Sequence, residues 1–338
     1  MRTGAAAGHT GYFHEALYYA DEEELLAVVV PFLRGGVAEG EPTVLAFGDE
    51  HATLVRSALP AADAGRVLFH PGGDMYARPA SAIRSYRKML AEYTAAGAGQ
   101  IRIIGELPPI ALGATWDWWA RYESAINTAY DEFPLWSMCA YDTTTTPPAV
   151  LEDVARTHPR SAAPGELHLP STPYLEPPVF LSRQRPGDPD PLQLTEPILS
   201  QVDPDPAAVR AALTNLNRAP AGPVLDEVGL ADLLMAATEV LVNAQLHGVS
   251  PVRLHCWVGE DRIVVVVTDQ GKGPTDPFAG LQPAAHAPVG GLGLWLAHQT
   301  CDHVALYRDD GQFTVRLISG NPHHRVAEQN RISAAEPA

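Results

Sequence analysis

Through the first 140 residues the apolar positions switch repeatedly between two periods. Stretches near 21–38, 50–59, 81–96 and 115–133 repeat their apolar residues every three to four positions, whereas 43–47, 67–69, 101–104 and 135–140 are short, continuous or β-branched apolar runs. The first kind predicts helices and the second predicts strands. Strict alternation of the two with short connections predicts a mostly parallel sheet wrapped by helices. From 159 to 191 the pattern stops: nine prolines sit among Ser, Gly and Asp with no apolar period. Such a stretch predicts an extended linker, here 159–199. Beyond it, 203–216, 230–246 and 292–300 carry helical spacing, 252–257 and 262–268 are strand-like, and 303–308 with 312–318 form a hairpin around Asp309-Asp310-Gly311. Helices grouped against one mixed sheet predict an α/β sandwich over 200–320. Residues 321–338 have no apolar face and predict a frayed tail.

The chain of 338 residues is thus expected to be a two-domain α/β protein with domains at 1–158 and 200–320, each long enough to bury a core. Charge narrows the partners. With 40 acidic against 23 basic residues the net charge is −17, which disfavours attraction to phosphate backbones, so no direct nucleic-acid partner is expected. Cys139, Cys256 and Cys301 are far apart and form no C-x-x-C pair, which argues against a zinc motif or a disulfide framework. No run approaches the roughly 18 apolar residues of a membrane helix, and Met1-Arg2-Thr3-Gly4 leads into no signal-peptide core. A cytoplasmic protein that does not engage membranes is expected.

Three short motifs carry the chemistry. Glu239-x3-Asn243-x3-His247 lies in a glycine-free helical run, so residues four apart share a face. Asp269-x-Gly271-x-Gly273 follows the β-branched run 263–267, and its glycines let backbone approach a bound purine. Gly290-Gly291-Leu292-Gly293-Leu294 opens a helix, whose free N–H groups suit phosphate. Each motif alone is matched by ordinary capping and turning. All three in this order, on these elements, mark an ATP pocket.

On these residues the segment 200–320 resembles the GHKL (Bergerat-fold) ATPases, and among them the short anti-sigma-factor serine/threonine kinases. The resemblance implies that Asn243 holds Mg²⁺ against the phosphates of ATP, that Glu239 is the general base, and that Asp269 accepts the adenine amino group. It further implies that His247, Gly271, Gly273, Gly291, Gly293 and Leu294 line the nucleotide. An amide oxygen plus phosphates and water suits magnesium, and a carboxylate one turn away suits proton removal from a hydroxyl. The likeness also implies a Thr directly after the glycine of the last hairpin to support Asp269. Gln312 and Phe313 stand there instead, leaving Thr314 as the substitute. A short lid over 272–289, with Pro274, Pro277, Pro283 and Pro288, suits a compact kinase.

The first domain resembles the MEDS sensory domain through Phe13-His14-x-Ala16-Leu17-x-Tyr19, Pro31-Phe32-Leu33-x-Gly35-Gly36, Ile104-Gly105-Glu106 and Cys139-Ala140-Tyr141-Asp142, closed by Thr157-His158-Pro159. This implies a RecA-like three-layer α/β domain without a phosphate loop, and no G-x4-G-K-[ST] occurs. His14, Glu106, Cys139, Tyr141 and Asp142 are the candidates for holding a small molecule, with a metal at His14, Glu106 and Cys139 allowed by ligand type. Trp116, Trp118, Trp119 and Tyr122 are expected to be core. The pairing of domains is similar to RsbA-type regulators of actinobacterial stress responses. It implies a sigma factor or an anti-anti-sigma (STAS) protein as partner, and leaves homodimerisation open. Two rival functions remain: a non-catalytic, nucleotide-dependent scaffold that binds a sigma factor, and a histidine kinase acting in trans.

Overall fold

The structure is a computed structural model and describes residues 2–70, 76, 78–183, 189–218, 222–282 and 292–322. It divides into two compact units, Met1–Ala77 with Ser81–Leu112 and Trp119–Leu181, and Arg78–Ala80 with Gly113–Trp118 and Ser182–Ala338.

The first unit is built on a seven-stranded sheet. Its strands are β1 (Phe13–Tyr19), β2 (Thr43–Ala46), β3 (Leu68–Phe69), β4 (Ile101–Gly105), β5 (Leu135–Asp142), β6 (Arg160–Ala163) and β7 (Leu167–Pro170), in the order β3-β2-β4-β5-β1-β6-β7. All neighbours are parallel except β6 and β7. Side chains alternate across a strand, so β1 and β5 each present two different faces. Phe13, Leu17 and Tyr19 join Trp136, Met138 and Ala140 in one apolar core with Leu25, Val29, Phe32 and Leu33 of the helix Glu22–Glu39. That helix starts where sequence chemistry says it should: the Asp21 carboxylate accepts the Glu24 amide, and Glu22, Glu23 and Glu24 fill the first turn. The opposite face carries His14, Cys139 and Tyr141, and Trp119 and Tyr122 are buried as core aromatics.

The stretch expected to be bare linker differs from that expectation. β6 adds in parallel to β1 and β7 turns back on it, so residues 160–170 belong to the first sheet. A wholly buried Glu15 explains the attachment: its carboxylate accepts from Trp136 Nε1 at 2.8 Å and from His168 Nδ1 at 2.9 Å, which ties β7 to the sheet. Prolines obscure these strands in the sequence, because an edge strand tolerates Pro where a central one does not.

The second unit is a five-stranded sheet ordered β11-β12-β10-β9-β8, made of β8 (Leu199–Val202), β9 (Arg253–Val258), β10 (Arg262–Asp269), β11 (His303–Asp309) and β12 (Gln312–Gly320). A mixed sheet was expected, but every pairing is antiparallel. Adjacent strands here are joined by hairpins or by helices that return on the same face. That face carries the helices Pro206–Leu216, Glu227–His247 and Gly293–Thr300, whose Leu213, Leu233, Ala237, Leu241 and Ala297 pack on Ile263, Val265, Val267, Val315 and Leu317. The other face buries Trp257, Val264, Val266 and Ile318 against Leu192, and Asp190 forms a buried two-bond pair with Arg262 at 2.9 and 3.2 Å. The latter part of the proline-rich stretch is therefore packed too. Most of the tail, from 323 on, lies outside the described residues.

Candidate functional site

In the second unit the helix Glu227–His247 begins at Asp226, whose side chain accepts the Gly229 amide, and runs beside the helix Gly293–Thr300. Its period places Glu239, Asn243 and His247 along one face. β10 ends at Asp269, which is buried because it lies on the helix-facing side of the sheet with Val265 and Val267. Asp269 Oδ1 accepts the Gly271 amide at 2.6 Å and the Val249 amide at 3.2 Å, which fixes the carboxylate at the strand end.

These pieces enclose a cavity of about 300 Å³ whose wall includes Asn243, His247, Asp269, Gly273, Leu294 and Phe313. Glu239 lies one helical turn before Asn243 and packs at Gly293, outside the residues that line the cavity. A side-chain carbon on Gly293 would lie 2.8 Å from Glu239 Oε2, 2.9 Å from Asn243 Nδ2 and 3.1 Å from Glu239 Cβ, so glycine lets the second helix approach both groups without displacing them. At Gly273 the backbone is left-handed with φ +72°, and a side chain would strike the Phe313 ring at 2.4 Å. The three motifs thus converge, on walls that are mainly apolar.

Two expectations fare differently. Gly291 and residues 283–289 of the expected lid lie outside the described residues. Thr314 does not support Asp269. The residue opposite Asp269 on β12 is Phe313, so Thr314 points to the far side of the sheet, where its hydroxyl lies 3.1 Å from that of Thr268. Phe313, which sequence reasoning passed over, is the residue that reaches the cavity. Only the pairing of β12 with β10, which sets Phe313 opposite Asp269, identifies it.

In the first unit the five sensory candidates separate into two groups. Glu106 accepts the Gly48 amide at 2.7 Å and pairs with His51 Nδ1 at 2.8 Å, while Asp142 accepts the Thr144 amide and hydroxyl, both at 2.7 Å. Both lie near Tyr19, whose hydroxyl is raised by burial, then by Glu106 and Asp142. The suggested metal set of His14, Glu106 and Cys139 is therefore not assembled. Instead His14, Cys139 and Tyr141 meet Glu123, from the helix Trp116–Ala129, and His158, just after the helix Pro148–Thr157.

Electrostatics within this second group are those of a dry interior. Burial pushes the Glu123 carboxyl up to about 7, opposed by hydrogen bonds from Tyr141 and Cys139. Burial also lowers His158 to about 4, and burial together with His158 holds His14 well below the ordinary imidazole range. The Cys139 thiol is raised by burial and by Glu123. The two imidazoles and the thiol are therefore neutral near pH 7, while the Glu123 carboxyl lies close to half-titration. Glu123 and His158 were not among the sequence candidates. Each looks like a core residue until tertiary structure places it.

Two family models match the chain. Residues 13–159 match the MEDS model, described as a methanogen/methylotroph, DcmR sensory domain, and residues 202–319 match that of the histidine kinase-like ATPase domain. Among solved structures, the RsbU and RsbW domains of Rv1364c from Mycobacterium tuberculosis are similar at 20% identity and a TM-score of 0.27, over 37% of this chain and 32% of that chain. The similarity spans about a third of that protein's length. No curated protein matches the chain. The chain joins a MEDS sensory domain to an ATPase domain of the histidine kinase-like, GHKL class.

Proposed function

We propose that the second unit binds ATP with Mg²⁺ and acts as an anti-sigma-type serine/threonine kinase, under control of a small molecule sensed by the first. Convergence of Asn243, His247, Asp269 and Leu294 on one cavity, with Glu239 one turn away, carries this reading. A purine amino group would donate to Asp269 while its ring lies against Leu294 and Phe313. The Asn243 amide oxygen would complete the shell of a phosphate-bound magnesium, which keeps most of its waters. Glu239 would take the proton from an attacking Ser or Thr hydroxyl on an anti-anti-sigma (STAS) partner. General-base help of that kind contributes roughly 10²–10⁴-fold, with positioning and charge neutralisation supplying much of the rest.

A serine/threonine acceptor is favoured over an internal histidine by what precedes the ATPase unit. The described residues between Thr157 and Pro206 form strands β6, β7 and β8 and short helical turns, whereas a histidine kinase places its acceptor on a long helical hairpin. Among the described residues no helix is long and apolar enough to cross a membrane.

The test is phosphotransfer from labelled ATP by the full-length protein and its Glu239→Ala and Asn243→Ala variants, alongside calorimetric ATP titration with and without Mg²⁺. Glu239→Ala should retain ATP and lose transfer, while Asn243→Ala should lose the magnesium-dependent part of binding. Tight ATP binding with no transfer to any cognate antagonist would leave a nucleotide-dependent scaffold. Acid-labile phosphate on a histidine would replace the serine/threonine reading.

A further inference from the structure

We propose that His14, Glu123, Cys139 and His158 form a binding site for one zinc-class divalent transition-metal ion inside the first unit. The four residues come from β1, the helix Trp116–Ala129, β5 and the turn into β6. Their donor atoms all lie within 4.8 Å of one another, and the His14, His158 and Glu123 side chains are 0–1% exposed.

Four of the six donor–donor edges match a tetrahedron, and the other two are within 4.8 Å. Bonds of ~2.0–2.3 Å to N, O and S ligands require donor–donor edges of about 3.3–3.6 Å. Observed edges are 3.5 Å between His14 Nε2 and Cys139 Sγ, 3.5 Å between His158 Nε2 and Glu123 Oε2, 3.7 Å between Cys139 Sγ and Glu123 Oε2, and 3.8 Å between His14 Nε2 and Glu123 Oε2. A single Oε2 atom thus faces two imidazole nitrogens and a thiol at nearly equal distance. One proton on that oxygen can point at only one of them. A cation at the centre serves them all.

The tautomers are set for ligation. Asn127 Nδ2 donates to the carbonyls of Glu123 at 3.1 Å and Thr157 at 2.8 Å, so its Oδ1 is the atom that accepts from His14 Nδ1 at 3.0 Å. His158 Nδ1 donates to the Val154 carbonyl at 2.9 Å. Both imidazoles therefore carry their proton on Nδ1 and turn an Nε2 lone pair toward Glu123, the arrangement that outer hydrogen bonds impose on ligating histidines. His158 Nε2 is buried without a hydrogen-bond partner. Its 3.5 Å approach to the carboxylate is what two facing acceptors look like without a proton between them.

Charge decides the class of ion. Two neutral imidazoles, one carboxylate and one thiolate carry −2 in total, so a divalent cation makes the buried site neutral and avoids an unbalanced interior charge. The mixed nitrogen, sulfur and oxygen set suits Zn²⁺ and its relatives rather than the all-oxygen preference of Mg²⁺ or Ca²⁺. The inference concerns the first unit's residues alone and does not rest on the kinase reading.

Full-length protein stripped with EDTA and returned to metal-free buffer should be titrated with Co²⁺, followed by Zn²⁺ competition. One equivalent of Co²⁺ is expected, with the strong visible bands of tetrahedral cobalt and a near-ultraviolet thiolate charge-transfer band, both removed by one equivalent of Zn²⁺. Cys139→Ser should keep the circular dichroism of the parent and lose the charge-transfer band, and His158→Gln should weaken binding at least tenfold. A charge-transfer band surviving in Cys139→Ser, or no saturable uptake by protein of native circular dichroism, would overturn the proposal. ATP titration of the same samples reports on the second unit separately.

Discussion

Gly293→Ala tests the proposed nucleotide site through a glycine that packs against Glu239 and Asn243 and is not among the cavity's lining residues. Gly293 opens the helix Gly293–Thr300, where alanine ordinarily stabilises by up to about 1 kcal/mol. Here the added carbon would sit 2.8 Å from Glu239 Oε2, 2.9 Å from Asn243 Nδ2 and 3.1 Å from Glu239 Cβ. The two polar ends can swing away, but Cβ is fixed to the helix Glu227–His247 and yields only if the helices part by a few tenths of an ångström. Overpacking of this kind costs about 1–3 kcal/mol, partly offset by the helix gain, so net stability should fall by no more than about 2 kcal/mol. The strain relaxes into Glu239 and Asn243. If those groups hold magnesium and the attacking hydroxyl, ATP–Mg²⁺ affinity should drop at least tenfold, equivalent to about 1.4 kcal/mol. Isothermal calorimetry with ATP and Mg²⁺, beside thermal melts without nucleotide, reads both quantities. Unchanged affinity in a protein of near-parental Tm would refute the placement of Glu239 and Asn243 at the phosphates.

Three further outcomes follow from the geometry. Thr314→Val should leave ATP affinity within about twofold and lower stability by about 1 kcal/mol through loss of the bond to Thr268, read by calorimetry and denaturant unfolding; a tenfold affinity loss would restore the supporting role that the structure denies it. Asp190→Ala should destabilise the second unit by about 3–5 kcal/mol, because it removes the two-bond partner of an Arg262 that is 1% exposed; a change below about 1 kcal/mol in urea titration would show that Asp261 alone suffices. Burial raises the Cys256 and Cys301 thiols to about 12, so at pH 8 each is protonated in all but roughly one molecule in 10⁴ and should resist alkylation until denaturant is added. Labelling of either residue in native protein at the rate of free cysteine would contradict that burial.

The cavity shared by Asn243, His247 and Asp269 was legible in the sequence because its spacing is local. Glu239, Asn243 and His247 share a face by helix period alone, and a β-branched run places Asp269 at a strand end. Neither inference needs to know which strands pair. The failure at Thr314 came from the next level up: which side of β12 a residue faces depends on its register with β10, and that register sets Phe313, not Thr314, opposite Asp269. The linker failed for a related reason. Residues 160–170 have the composition of loop, and their attachment to β1 depends on Glu15, 153 positions before His168, whose burial is balanced by donation from Trp136 and His168.

The buried cluster in the first unit marks the far end of the same scale. No two of its ligands are close enough in sequence to share a turn or a strand face, so spacing carries no signal, and three widely separated cysteines argue against zinc when counted along the chain. Parallel pairing of β1 with β5 sets Ala16 beside Cys139, which brings Cys139 and His14 to one face. The Glu123 helix and the His158 turn then cover that face, and Asn127, which lies a helical turn beyond Glu123, holds the His14 ring by its Nδ1. Residue types alone favoured Glu106 as the acidic member, because Ile104-Gly105-Glu106 ends a strand. That carboxylate is already committed to Gly48 and His51, whereas Glu123 is held in the interior with two imidazole nitrogens facing it. A buried acid facing two histidines needs a proton or a cation to be stable there, and only the cation engages all four donors at once.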